Sequence, residues 1–450
     1  MAKATFHFPA GFLWGTATAA HQVEGNNTNS DWWPWEQQHH SILNGHRSGI
    51  ACNWWENAEA DLDLAADMGT NAHRLSLEWS RIEPEPGAFD REALARYRAI
   101  LQAMWARGIE PMVTLHHFSN PIWLVEKGDF NSRLVVDYFQ RYVSQTVAVL
   151  GDLVPKWITI NEPMVYLLMR YIEAVFPAPQ QRGWAAAMTA LQNMLRCHAA
   201  AYQAIKTQYP QALVGVAKHF RPIEAPANGN RLDRWWARQL DWLFNDLWMD
   251  SMVDGRLRWP AGRGTLPHLA GSFDFVGIDY YSRSLTRFPP RPGRLYEKDH
   301  GPEAVMSDGN FGELHPAGLY QVIKKAVAYK KPIYITENGL PDATDRLRPG
   351  FILTHLREIW RAINFSFPVM GYYHWSLIDN FEWDRGWTQR FGLIALDVET
   401  QERWLRSSGR LYSEICRHGA FNSDMTERYA PELLRTLFPG ERPENVTREQ

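Results

Sequence analysis

Cysteine is scarce: Cys52, Cys197 and Cys416 are the three in 450 residues. Three scattered thiols make no disulfide framework and lack zinc-site spacing. They point to a reducing compartment, and the expected location is cytoplasmic. No apolar run reaches the roughly 18 residues of a membrane span, and residues 1–9 lack the apolar core of a secretion signal. The Asn-x-Thr triplets at Asn26 (Asn26-Asn27-Thr28 reads as the triplet) and Asn445 are therefore chance matches to the glycosylation pattern. Net charge is −3 with no basic block, so neither nucleic acid nor a membrane is an expected partner. No Gly-x-Gly-x-x-Gly follows any candidate strand, which removes the usual nucleotide reading. Linkers rich in Gly or Ser are also missing. One domain over residues 1–450 is expected, with only the Pro-, Glu- and Arg-rich tail after about Phe438 loosely held.

What the chain does have is a repeated helix-then-strand unit. Residues 53–68 carry apolar side chains at helical spacing, stop before Gly69 and lead into a strand at 71–77. The pattern recurs at 91–107, where Gly108 is the expected left-handed cap, followed by 109–115. Further pairs are 185–208 with 212–217, 316–329 with 332–336, and 353–364 with 368–375. Adding 11–17, 156–160 and 273–278 gives eight candidate strands. Strands that alternate with helices pair in parallel through right-handed crossovers. Eight such units predict an α/β fold: a single (β/α)8 TIM barrel whose long βα loops form an active-site rim. An open doubly wound sheet is the alternative.

Catalytic residues of such a barrel sit at the C-terminal ends of its strands. Two strands end there in glutamate: Thr159-Ile160-Asn161-Glu162-Pro163 and Ile333-Tyr334-Ile335-Thr336-Glu337-Asn338-Gly339. A carboxylate ending a buried strand is costly unless partners or water satisfy it. Two of them from distant parts of one sheet suit a glycosidase, which needs a pair flanking one bond. Other strand ends offer Arg74, His116-His117-Phe118, Asp279-Tyr280-Tyr281 and Trp375, with Asn380-Phe381-Glu382-Trp383 in the last loop. Polar and aromatic groups on one rim compose a carbohydrate site. His116 and His117 are strand neighbours on opposite faces, so a metal pair is not expected. Glu78 reads as structural, and Trp32, Trp33 and Trp35 either line the mouth or pack a long loop.

These residues carry a resemblance. From Phe8-Pro-Ala-Gly-Phe-Leu-Trp-Gly15 to about Arg417 the chain resembles the retaining β-glycosidases of glycoside hydrolase family 1, typified by β-glucosidases. The motifs are Asn-Glu-Pro, Thr-Glu-Asn-Gly, Gln22-Val-Glu-Gly25 and Trp375-Ser-Leu-Ile-Asp-Asn-Phe-Glu-Trp383. The resemblance implies Glu162 as acid/base and Glu337 as nucleophile, with Arg74 and Tyr281 touching the nucleophile. Gln22, His117, Asn161, Glu382 and Trp383 would hold sugar hydroxyls, and Trp375 would stack under the ring. It implies terminal β-linked glucose, galactose or fucose on small glycosides such as cellobiose, and neither metal nor organic cofactor.

A guanidinium and a phenol beside Glu337 are expected to lower its pKa, while burial near a negative charge keeps Glu162 protonated. The chain departs from the commonest pattern at three positions. Asp279 stands where Asn is usual, and Met164 and Phe118 stand where Trp is frequent. The first bears on the pH profile, the others on aglycone preference. Glu382 is expected to repel a 6-phosphate, and Gln389 and Phe391 occupy the place of a phosphate clamp. The alternatives are a sugar-binding barrel with impaired catalysis and a 6-phospho-β-glycosidase.

Overall fold

The computed structural model describes residues 4–38, 41–290, 300–301 and 303–440, so the tail beyond Gly440 lies outside the described residues. Eight parallel strands close into a barrel: β1 (Leu13–Ala17), β2 (Ala72–Ser76), β3 (Glu110–His116), β4 (Lys156–Asn161), β5 (Leu213–His219), β6 (Phe275–Tyr280), β7 (Ile333–Asn338) and β8 (Val369–Trp375). Each pairs with the next in sequence, and β8 returns to β1. Closure excludes the open sheet. All eight expected strands are present. β4 and β7 are buried at every position, as strands covered on both faces must be, and their β-branched residues suit the pleat.

Both strands that lead to the glutamates are irregular near their ends. The β4–β5 pairing shifts register between Ile158 and Asn161, and the β7–β6 pairing between Ile335 and Glu337. Such shifts bend a strand and re-aim the next side chains, and they concentrate beside active sites.

Outside the barrel lie α1 (Trp54–Asp67), α2 (Arg91–Ala106), α3 (Val135–Leu150), α4 (Trp184–Gln208), α5 (Arg231–Asp241), α6 (Leu247–Asp254), α7 (Pro316–Ala326), α8 (Arg348–Asn364) and α9 (Ser407–His418). Asp90 caps α2 by accepting from the amides of Glu92 (2.8 Å) and Ala93 (3.0 Å), and Gly108 beyond its end has φ +70°. α8 starts five residues before the expected 353. Pro349 falls in its first turn, where a proline gives up no helical bond. α3, α5, α6 and α9 lie outside the five expected helices. Among the described residues no helix is long and apolar enough to cross a membrane.

Buried ion pairs tie the rim loops together. Arg170 donates through Nη1 to Asp31 (2.8 Å) and through Nε to Asp129 (2.8 Å), joining the loops after β4, β1 and β3. Asp379, after β8, accepts from Arg406 at 3.0 Å.

Candidate active site

A cavity opens at the C-terminal rim, and His117, Asn161, Glu162, Tyr281, Glu337, Trp375, Glu382 and Trp383 all line it. Arg74 and Gln22, the other two expected site residues, are buried behind that wall. Glu337 Oε1 accepts from Arg74 Nη1 at 2.6 Å, and Oε2 accepts from the Tyr281 hydroxyl at 2.5 Å. Arg74 also donates from Nε to Thr114 Oγ1 (3.1 Å) and from Nη2 to Asn161 Oδ1. That last contact orients the Asn161 amide, whose Nδ2 then donates to His117 Nε2 at 3.0 Å. His117 is thereby assigned its proton on Nδ1, which is buried without a protein partner. Burial, with the Arg74 charge, holds the ring well below its usual pKa and so neutral. His117 offers an N–H donor that the protein itself does not use.

Glu162 stands one residue past β4 in the left-handed region (φ 40°, ψ 58°), which costs a non-glycine residue about 1–2 kcal/mol. Its amide donates to Ala217 O at 2.8 Å, and Pro163 begins the next turn. Its Oε1 lies 2.9 Å from His219 Nδ1. Burial pushes the Glu162 carboxyl up to about 7, against the pull of Lys218, Arg74 and Arg221.

One oxygen from each of Glu162, Asp279 and Glu337 lies within 4.8 Å of the other two. Three carboxylates at this spacing have the donor set of a cation site. Here, however, Arg74 is already inserted, with Nη1 2.6 Å from Glu337 and 3.4 Å from Asp279. Asp279 also accepts from Thr336 Oγ1 at 2.6 Å, and its Oδ2 has no protein partner. Burial raises Asp279 to about 7. Burial and the Asp279 charge likewise push Glu337 well up, outweighing Arg74 and Tyr281. The expectation that those two groups set Glu337 low is therefore corrected. Three carboxyls around one guanidinium cannot all ionise, and they titrate as a group. Within it Glu337 holds the shorter arginine contact and the phenol, the two contacts that favour its charged form.

Gln22 donates from Nε2 to Asn380 Oδ1 (2.9 Å), Phe381 O (2.9 Å) and Glu382 Oε2 (3.1 Å), and its buried Oε1 has no protein partner. Burial raises the half-buried Glu382 to about 8. Arg385 pairs with Asp384 (3.4 Å) beside it. The His117 ring is nearly parallel to those of Trp375 and Trp383 (24° and 20°), with centres 6.1 Å and 5.9 Å away. None of Trp32, Trp33 and Trp35 lines the cavity. Trp32 packs behind Trp383 with ring centres 4.8 Å apart and donates to Phe118 O. Glu78 is buried and accepts from the hydroxyls of Ser80 and Ser119. His116 bonds Asn120, away from His117's partner. Phe118 lines the cavity, whereas Met164 faces an adjoining cleft.

The fifth strand supplies what the sequence reading missed. It was the one strand assigned no site residue, yet its end carries His219, against Glu162, and Lys218. Lys218 is buried, donates to the His219 carbonyl and lies over the Phe244 ring (4.6 Å). Burial lowers its ammonium to about 7. The signal was there in Leu213-Val-Gly-Val-Ala-Lys-His219, an apolar strand that turns basic at its C-terminal end.

Known proteins share this architecture over nearly their whole length. The chain is 31% identical to beta-glucosidase A of Thermotoga maritima, covering 91% of this chain and 98% of that protein. It is 30% identical to a beta-galactosidase of Pyrococcus woesei, covering 95% and 100%. Among solved structures, a beta-glycosidase from Pyrococcus horikoshii superposes with a TM-score of 0.88 at 37% identity, covering 94% of this chain and 98% of that one. The Thermotoga maritima beta-glucosidase in complex with galacto-hydroximolactam superposes with a TM-score of 0.86 at 29% identity, covering 92% and 99%. Residues 4–421 match glycosyl hydrolase family 1, and the chain belongs to that family.

Proposed function

We propose that the protein is a retaining exo-β-glycosidase acting as one catalytic unit. It removes terminal non-reducing β-D-glucosyl residues, and β-galactosyl or β-fucosyl residues, from small glycosides and oligosaccharides such as cellobiose. The observation that carries this reading is the spacing of Glu162 and Glu337, whose oxygens lie within 4.8 Å across one cavity. Double displacement uses carboxyl groups about 5–5.5 Å apart, whereas inversion needs about 6.5–9.5 Å to admit a water.

Glu337, the anion of the group, attacks the anomeric carbon. Glu162, protonated below about 7, gives its proton to the leaving oxygen. The same carboxylate then takes a proton from water as the glycosyl-enzyme is hydrolysed. Arg74 and Tyr281 hold the nucleophile. Asn161 and His117 donate toward ring hydroxyls, Gln22 and Glu382 accept from them, the Trp383 indole N–H donates to one, and Trp375 carries the ring face. The three cysteines are free thiols, which suits the cytoplasm.

The reading is tested on nitrophenyl β- and α-glycosides of glucose, galactose and fucose, with the first-formed anomer followed by NMR. Hydrolysis of the β series with a β-configured first product is expected. An α-configured product would refute retention.

A further inference from the structure

Lys218 and His219 are neighbours at the end of β5, so their side chains point to opposite faces of the strand. His219 lines the cavity against Glu162, whereas Lys218 is fully buried behind that wall. There its ammonium donates to the His219 carbonyl and lies over two rings, Phe244 (4.6 Å) and Phe220 (5.2 Å). Phe244 in turn packs edge-on against the His219 imidazole, with centres 5.7 Å apart. Lys218 thus holds His219 twice, by its main chain and through the ring that supports its side chain.

Among the described residues no carboxylate pairs directly with Lys218, and a buried ammonium without such a partner is costly. The charged groups around it are Glu162 after β4, Asp279 at the end of β6, Asp246 in the wide turn Trp242–Asp246 and Lys325 in α7. Asp246 is closed onto Lys325 (2.8 Å), which also holds Asp241 (2.7 Å). Asp279 already has Arg74 and Thr336. Glu162 is the group left for the Lys218 charge to act on. Glu162 itself has His219 in contact and the carboxyls of Asp279 and Glu337 within 4.8 Å. Burial raises it, and among the cations that oppose burial Lys218 leads, ahead of Arg74 and Arg221.

We propose that Lys218 is a positioning residue for the acid/base, fixing His219 from behind the wall and supplying the positive charge that favours the anionic form of Glu162. Resting on the glycosidase reading, this assigns Lys218 to the second half of the reaction, where Glu162 must be a carboxylate to take a proton from water.

Two substitutions test it. Lys218→Met keeps an unbranched stem over Phe244 and removes both charge and donor, and Lys218→Gln restores a donor without the charge. Losing the cation raises Glu162, so in both variants two pH limbs should move up by about half a pH unit or more. One is the alkaline limb of kcat/KM on cellobiose, which needs the acid. The other is the acidic limb of kcat on 2,4-dinitrophenyl β-glucoside, whose leaving group departs without a proton and leaves the base step to set the limb. On that limb kcat should fall about threefold, while kcat/KM for the same substrate stays nearly unchanged. Circular dichroism identifies a variant that fails to fold, and the other then carries the test. Folded, active variants with limbs at the original pH would overturn the proposal, as would a glutamine variant whose limbs alone return there. Inactivity of the unsubstituted enzyme on both substrates would instead overturn the glycosidase reading.

Discussion

Nδ1 of His219 lies 2.9 Å from Oε1 of Glu162, which commits one carboxyl oxygen to an imidazole and leaves the other for a glycosidic bond. An imidazole nitrogen can donate to a carboxylate or accept from an acid, so one contact serves both halves of the cycle. His219→Phe should leave KM nearly unchanged and lower kcat on alkyl glycosides about tenfold or more, with a smaller loss on dinitrophenyl glycosides, whose leaving group departs without a proton. Equal losses on the two substrates would assign His219 to packing alone.

Glu337→Ala should reduce turnover by at least about a thousandfold, equivalent to about 4 kcal/mol of transition-state stabilisation, with the circular-dichroism spectrum unchanged. Azide should then restore part of the rate and give the α-glycosyl azide. A variant retaining a tenth of the normal rate would exclude Glu337 as nucleophile.

For Glu162, raised to about 7, the acid form predominates below that value. Turnover of alkyl glycosides should fall as pH rises through about 7. Glu162→Gln should abolish that limb and slow alkyl glycosides far more than dinitrophenyl ones. Survival of the limb in the variant would place the titrating acid elsewhere.

Asp279 titrates beside the nucleophile, and its negative charge pushes Glu337 up. Asp279→Asn removes that charge and keeps an acceptor for Thr336, so the pKa of Glu337 falls. Because the nucleophile works ionised, the acidic limb of kcat/KM should move to lower pH. A limb that stayed put, or moved toward neutrality, would show that Asp279 does not control Glu337.

The half-buried carboxyl of Glu382 should discriminate against a 6-phosphate. A phosphate ester carries about −1.5 to −2 near neutral pH, and meeting it the carboxyl must either repel it or keep a proton. Glu382 is raised to about 8 in the free site, so discrimination should sharpen with rising pH as the carboxylate forms. At pH 8, kcat/KM for the 6-phosphate should be about a thousandfold below that for the parent glucoside, and Glu382→Ser should narrow the gap. Comparable efficiency on the two substrates would contradict this role for Glu382.

Periodicity made the barrel legible, because most strands are short apolar runs followed by a turn signal. Strand-end position and motif together located eight residues on the cavity wall and two behind it. Pairwise electrostatics were harder to read. Arg74 and Tyr281 promise a strongly acidic Glu337, yet the burial of the whole group and the third carboxyl, Asp279, reverse the balance, and neither effect is local in sequence. His219 and Lys218 escaped because a basic pair after an apolar strand is usually a solvated end. The fold buries Lys218 beneath Phe244 instead.

Gly339, the last residue of the Thr-Glu-Asn-Gly phrase, leaves no room for a side chain: a Cβ there would sit 1.8 Å from the carbonyl oxygen of Trp375. The strand that bears Glu337 and the strand that ends at Trp375 therefore meet main chain to main chain at the rim. The gap between the attacking group and the floor under the sugar is thus gauged by the backbone. Side chains around that gauge can drift and change which glycoside is accepted, while the distance on which bond-making depends stays fixed.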